Sequence, residues 1–292
     1  VIRYEGDIYR PPSEAHSLIL QATLGCSYNR CTFCAMYRQK RFSQRSLTDL
    51  VSEIGWAAEN LPGVRKVFLA DGDALIAKAS FLAKLLDEIT LKLPGLARVS
   101  CYASPQALMV RSVEEMSLLR EKGLTLYYLG IESGHDGVLA ELEKGVDGEE
   151  MIAAANKATE AGVKLSTMIL LGAGGRELSC EHARESARVV NAIQPRFLST
   201  LVMTPVQGTP LFESAARGEV EELAPEELAF ELHEFLDSLE LTSTVFRSNH
   251  ASNYLALAGN LPRDKEALLS ELRAALRDPA RAPFRPKWSR GL

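Results

Sequence analysis

Three of the five cysteines in this chain fall in one short segment, Gly25-Cys26-Ser27-Tyr28-Asn29-Arg30-Cys31-Thr32-Phe33-Cys34. It follows an apolar run, Leu18 to Leu24, that reads as a buried strand. A strand end that delivers three thiols into one loop is first of all a metal site. Three protein ligands leave one coordination position open, and chemistry at a metal needs that opening. Structural zinc draws four ligands, usually in two pairs, and no second Cys-x2-Cys or His-x3-His occurs. Cys101 and Cys180 are isolated. A redox Cys-x2-Cys would stand as a pair, whereas here a third thiol lies upstream. An iron–sulfur cluster carried by three thiolates fits the spacing best, with zinc and incidental thiols as the lesser alternatives.

Cys26-x4-Cys31-x2-Cys34 after a first strand, with aromatic Phe33 before the last cysteine, resembles the radical S-adenosylmethionine (SAM) superfamily. The commonest spacing there is Cys-x3-Cys-x2-Cys, so this loop is one residue longer. The resemblance implies a [4Fe–4S] cluster on Cys26, Cys31 and Cys34, whose fourth iron is chelated by the amino and carboxylate groups of SAM. Reduction would cleave SAM to methionine and a 5′-deoxyadenosyl radical that abstracts a substrate hydrogen.

Further loops extend the likeness. Asp71-Gly72-Asp73 stands where the superfamily usually carries Gly-Gly-Glu, which implies that Gly72 and Asp73 receive the SAM ammonium. A plain tight turn is the other reading, since Asp-Gly makes one unaided. Leu129-Gly130-Ile131-Glu132-Ser133-Gly134 is similar to the Gly-x-Glu-Ser-Gly of one branch. That branch includes oxygen-independent coproporphyrinogen oxidases, methylthiotransferases and the Elongator catalytic subunit. Leu139, Lys144 and Gly145 continue the match, which implies that Glu132 and Ser133 help seat SAM. Independently of any family, an acid between an apolar strand and a glycine turn needs a partner or water. Met168 to Gly175 resembles the strand that packs adenine, with Leu170 and Gly172 as the contacts, and Met203 to Leu211 matches Pro-x-x-Gly-Thr-Pro-Leu of the same branch. Ser104, beside Pro105, presents a hydroxyl to either ligand or backbone.

These residues sit at the ends of alternating elements. Strands at 18–24, 66–70, 97–102, 125–129, 164–171 and 197–201 each precede a helical pattern, giving six βα units. A capping box at Ser46 and Asp49 is expected to open the first helix, with Leu47, Leu50, Val51, Ile54 and Leu61 on one face. An open doubly wound sheet and a curled barrel both satisfy the alternation; site residues at the carboxyl ends of the strands favour the barrel. The expectation is an α/β fold, a partial (βα)6 TIM-like barrel over residues 1–241 with an N-terminal extension. Residues 242–292 then form a helical and loop cap with a basic tail, not an independent domain.

Composition sets the remaining bounds. At 46% hydrophobic over 292 residues the chain can bury a large core, and a net charge of −5 gives no general basic field for nucleic acid. No apolar run is long enough to cross a membrane, and clustered thiols without a secretion signal point to the cytoplasm. A small-molecule substrate is expected, with an external electron donor such as flavodoxin or ferredoxin; nucleic acid is not excluded. The polar segment Arg247 to Tyr254 is expected to fold over the site, with His250 and Asn249 facing substrate. A polar turn satisfied by its own backbone is the equal alternative.

Overall fold

The computed structural model describes residues 1–291. Around the cysteines run β1 (Leu18–Gln21), β2 (Thr23–Leu24) and β3 (Ser43–Gln44). They are followed by α1 (Leu47–Asn60), β4 (Lys66–Ala70), α2 (Ala79–Lys92), β5 (Arg98–Tyr102), α3 (Pro105–Val110), α4 (Val113–Glu121) and β6 (Leu124–Glu132). Next come α5 (Asp136–Glu141), α6 (Gly148–Glu160), β7 (Lys164–Leu171), α7 (Ser179–Ile193), β8 (Phe197–Val202), α8 (Pro210–Ala216) and α9 (Pro225–Asp237). The chain closes with β9 (Thr244–Ser248), β10 (Leu257–Leu261) and α10 (Lys265–Arg277). Eight of the strands belong to one mostly parallel sheet, as the alternation requires.

The chain divides into two compact units. The first comprises residues 1–29, 36–129 and 153–165, and its strands run β1-β4-β5-β6, all parallel. Leu18 pairs with Val67 and Gln21 with Ala70, while Lys66 pairs with Arg98. Leu18 to Leu20 and Val67 to Ala70 are buried, the continuous apolar runs expected of parallel strands covered on both faces, and Gln21 closes β1 as a buried polar residue. In α1, Leu50, Ile54 and Ala57 recur at helical spacing and are fully buried.

Two expectations are corrected here. The run Leu18 to Leu24 is two strands: after Ala22 the chain leaves the main sheet, and β2 pairs antiparallel with β3 beyond the cysteine loop. The cause is that the loop must close on itself, which a short ladder at its base accomplishes. Ser46 does occupy the position before α1, but its side chain makes no capping bond, and Leu61 lies past the helix end and is exposed. A full capping box instead opens α4, between Ser112 and Glu115.

The second unit comprises residues 30–35, 130–152 and Ser166 onward, with strand order β7-β8-β9-β10. β7, β8 and β9 are parallel, with Ser166 opposite Phe197 and Phe197 opposite Val245; β10 returns antiparallel. The alternation therefore does not stop near residue 242. α9, which looked like its last helix, is the crossover into one more parallel strand. β9 alternates buried and more exposed residues, a half-covered pattern too short to stand out as a strand in the sequence. α10 packs on α9 and β10 through Leu268, Leu269 and Leu272. Among the described residues no helix is long and apolar enough to cross a membrane.

Candidate cofactor-binding site

In the first unit the cysteine loop is built outward from the β2/β3 ladder. Gly25 has φ +70, backbone that favours glycine, and its N–H donates to Asp71 Oδ2 at 3.0 Å. Gly72 N–H donates to the Gly25 carbonyl at 3.1 Å. A Cβ on Gly72 would lie 2.5 Å from the Tyr37 ring and 3.1 Å from Cys26 Cβ, so only glycine lets this turn pass so close to the first cysteine. Asp73 is fully buried. It accepts from the Ser27 hydroxyl, from Ser104 N–H at 2.9 Å and from Ser104 Oγ at 2.8 Å. Ser104 in turn accepts from Ala107 N–H and caps α3. The carboxylate of Asp73 thus ties the cysteine loop to the end of β5. Of the basic residues after the loop, Lys40 pairs with Asp71 and Arg45 with Glu53.

In the second unit, Cys34 N–H donates to the Cys31 carbonyl at 3.2 Å, and Thr32 N–H to Leu142 O at 3.0 Å. Phe33 packs on the cluster of Val138, Leu142, Leu170 and Ala173, joined by Leu201 and Met203. The aromatic beside the last cysteine and the aliphatic residue near the end of β7 share one apolar surface. Glu132 closes β6 with φ +68, uncommon for a residue with a side chain, and is only 5% exposed. Its Oε1 accepts from Lys144 Nζ at 3.0 Å, while Oε2 is buried without a hydrogen-bond partner. Gly130 leaves the space the carboxylate occupies. Burial alone would push the Lys144 ammonium down, but Glu132, and Cys31 when ionised, hold it above its ordinary value. Burial pushes the Cys31 thiol up, and Lys144 opposes that rise.

Ser133 is fully buried, and its Oγ lies 2.8 Å from His182 Nδ1. His182 Nε2 lies 3.1 Å from the Leu170 carbonyl, which only accepts, so Nε2 carries the proton and Nδ1 accepts from Ser133. Burial holds the imidazole down at about 4, hence neutral near pH 7. Ser133 Oγ also accepts from His135 N–H. Its hydroxyl is committed within the protein, whereas Glu132 Oε2 is a buried side-chain acceptor without a hydrogen-bond partner at the same strand end. Behind Leu170, Glu231 on α9 accepts from Gly172 N–H and Ser179 Oγ, both at 2.6 Å, and burial pushes its carboxyl up to about 7. Sequence reasoning missed His182 and Glu231. The available signal was a titratable residue inside an apolar helical stripe, as Glu231 sits between Leu228, Leu232 and Phe235.

His250 is half-buried and its Nδ1 meets Ser252 Oγ at 2.9 Å and Ser252 N–H at 3.1 Å. Asn249 is exposed. The buried members of this segment are Ser248, Ser252 and Asn253; the side chains of the last two receive Val202 N–H. Arg285 donates to the carbonyls of His250, Ala251 and Asn253, and Arg290 stacks 4.0 Å over the Tyr254 ring. The basic tail thus straps this loop down.

Among the described residues no group of three or more His, Cys, Asp or Glu side chains is set to hold a metal ion. The donor chemistry nevertheless fits an iron–sulfur cluster: three partly exposed thiols in one loop, none in a disulfide, with an ammonium acting on Cys31.

No curated protein matches the sequence. The sequence pattern of the Radical SAM superfamily matches residues 20–185. Among solved structures, methylornithine synthase PylB aligns at 17% identity over 77% of this chain and 63% of its own, with a TM-score of 0.54. The radical SAM methyltransferase TsrM from Kitasatospora setae aligns at 21% identity over 69% of this chain and 39% of its own, with a TM-score of 0.56. Elp3 of Methanocaldococcus infernus aligns at 15% identity over 80% and 59%, with a TM-score of 0.50. This chain spans less than two thirds of each, and at these identities the likeness shows the fold. With more than half of its length matched by the superfamily pattern, the chain belongs to the radical SAM superfamily, enzymes that use a [4Fe–4S] cluster and S-adenosylmethionine.

Proposed function

We propose that this chain is a radical SAM enzyme acting on a small-molecule substrate, with Cys26, Cys31 and Cys34 as the cluster ligands. The observation that carries the reading is the three-thiol loop at a strand end, inside the residues the superfamily pattern matches. When bound, cluster and SAM supply reductive SAM cleavage and hydrogen-atom abstraction. The protein's part is to bind, orient and exclude water.

Phe33 and Leu170 present an apolar surface suited to a flat heterocycle such as adenine. Glu132 Oε2, buried and unpaired, is an acceptor in search of a donor, and a ribose hydroxyl or ammonium of SAM satisfies it. Lys144 holds the other oxygen and fixes the carboxylate's orientation. Ser133 and His182 set the loop after Glu132. At the Gly72-Asp73 turn the backbone is the contact that fits, since the Asp73 carboxylate faces Ser27 and Ser104. His250 and Asn249 remain the substrate-facing candidates, with proton transfer or binding as their role. An external reductant such as flavodoxin or ferredoxin supplies the electron, and a cytoplasmic setting suits the partly exposed thiols.

The test is anaerobic incubation of the reconstituted enzyme with reductant, SAM and deuterated candidate substrates, following deuterium in 5′-deoxyadenosine. Substrate-dependent deuterium uptake from a small molecule is expected. Uptake only from deuterated RNA or peptide would contradict the small-molecule assignment.

A further inference from the structure

Asp71 follows β4 and its side chain is fully buried. Its Oδ2 accepts three hydrogen bonds: from Gln21 Nε2 at 3.0 Å, Gly25 N–H at 3.0 Å and Lys40 Nζ at 2.9 Å. Oδ1 has no hydrogen-bond partner, so one oxygen and one ammonium carry the compensation of this buried charge. Gly25 immediately precedes the first cysteine and Lys40 lies beyond the third. A single carboxylate oxygen therefore grips both flanks of the three-cysteine segment.

The two flanks also touch. A Cβ on Gly25 would lie 3.1 Å from the Lys40 carbonyl oxygen and 3.2 Å from Lys40 Cβ. Just outside them Thr23 pairs with Gln44 and Leu24 with Ser43, and Asp71 N–H donates to the Thr23 carbonyl at 3.1 Å. Lys40 Nζ makes a second bond, to the Asp7 carbonyl at 2.6 Å.

We propose that Asp71 is a positioning residue for the cluster: with Lys40 it draws the flanks of the cysteine loop together and sets how firmly the thiolates retain iron. This rests on the reading of Cys26, Cys31 and Cys34 as ligands. The physical basis is entropic. A loop whose ends wander must lose that freedom whenever its thiols converge on a cluster, and a loop fastened at its base has already lost it. Residues 25–42 are long for a ligand loop, and the Cys-x4-Cys spacing adds one more residue to order. A buried carboxylate acts well as the fastener because removing Lys40 leaves a buried charge with no other ion-pair partner among the described residues.

The test follows iron loss from the anaerobically reconstituted protein to a ferrous chelator. Wild type is compared with Asp71→Asn, Lys40→Met, Lys40→Arg, the double variant of the first two, and Cys31→Ala. Iron loss about tenfold faster is expected in each of Asp71→Asn and Lys40→Met. The double variant should be no faster than the singles, and Lys40→Arg should restore most of the wild-type rate. The electron paramagnetic resonance spectrum of the reduced cluster should change in both singles. A role in the fold alone would lower the apoprotein melting temperature and leave iron loss and spectrum unchanged; that result, or wild-type rates in both singles, overturns the proposal. If Asp71→Asn does not fold, Lys40→Met decides, because its side chain is at the rim of the pair. Full iron in Cys31→Ala would overturn the ligand reading and this proposal together. Loss of iron there, beside wild-type rates in the Asp71 and Lys40 variants, overturns this proposal alone.

Discussion

Glu132 concentrates three unfavourable features in one residue: positive φ, a buried charge and an unpaired oxygen. Such features persist where the surroundings impose them, and they cluster at binding sites. If SAM supplies the missing donor, Glu132→Ala should leave iron content intact and weaken SAM binding at least about tenfold, the worth of a hydrogen bond to a charged group. Equilibrium binding of SAM to the reconstituted variant checks this, and unchanged affinity removes Glu132 from the site. Glu231 allows a pH test. Its carboxyl is pushed up to about 7 from an ordinary 4.5, so the burial it enjoys as a neutral group favours the fold below the unfolded value. That contribution is lost as pH rises through about 7, an effect worth ~3 kcal/mol when ionisation is complete. Glu231→Gln stays neutral, so its melting temperature relative to wild type should rise between pH 5.5 and pH 8, by what the ~2 kcal/mol still to be lost above pH 5.5 sets. A constant difference across that window contradicts the buried titration. Glu132 was legible in the sequence because an acid between an apolar strand and a glycine turn must be held by something. Glu231 and His182 were not, because a single polar residue in a helical apolar stripe shows no partner until the helices are packed.

At the scale of elements, the strand ends carry the proposed cofactor contacts. Gly72 after β4, Gly130 within β6 and Gly172 after β7 each leave room that a side chain would fill, against Tyr37, Glu132 and Leu228 respectively. Gly72→Ala places a methyl against both Tyr37 and Cys26 and should cost ~1–3 kcal/mol, the usual toll of overpacking. Thermal unfolding of the apoprotein should show the lowered midpoint, and a wild-type midpoint would mean that the turn is looser than its contacts indicate. Most strands and helices were readable because parallel strands are continuous apolar runs and the glycine and proline turns punctuate them. The break at Ala22 was not readable, since β2 continues the apolar pattern of β1 and only its pairing with β3 distinguishes it. β9 was hidden for the opposite reason: its buried positions are Thr244, Phe246 and Ser248, so burial alternates along it while hydrophobicity does not.

For the whole molecule, a mostly parallel sheet with its informative loops at the carboxyl ends of its strands is the arrangement in which open α/β sheets and barrels place ligands. The C-terminal residues take part through Arg285 and Arg290, which hold the His250–Tyr254 loop by its carbonyls and its phenol ring. Substrate identity was not legible at any scale, since it depends on a few side chains that no motif marks. The central claim is narrower and can be tested directly. Reductive SAM cleavage, measured as 5′-deoxyadenosine formed anaerobically, should be abolished in Cys26→Ala, Cys31→Ala and Cys34→Ala alike. It should persist in Cys101→Ala and Cys180→Ala, whose thiols stand outside the loop. Wild-type cleavage in any one of the first three, or its loss in all five, would contradict the assignment of the cluster to this loop.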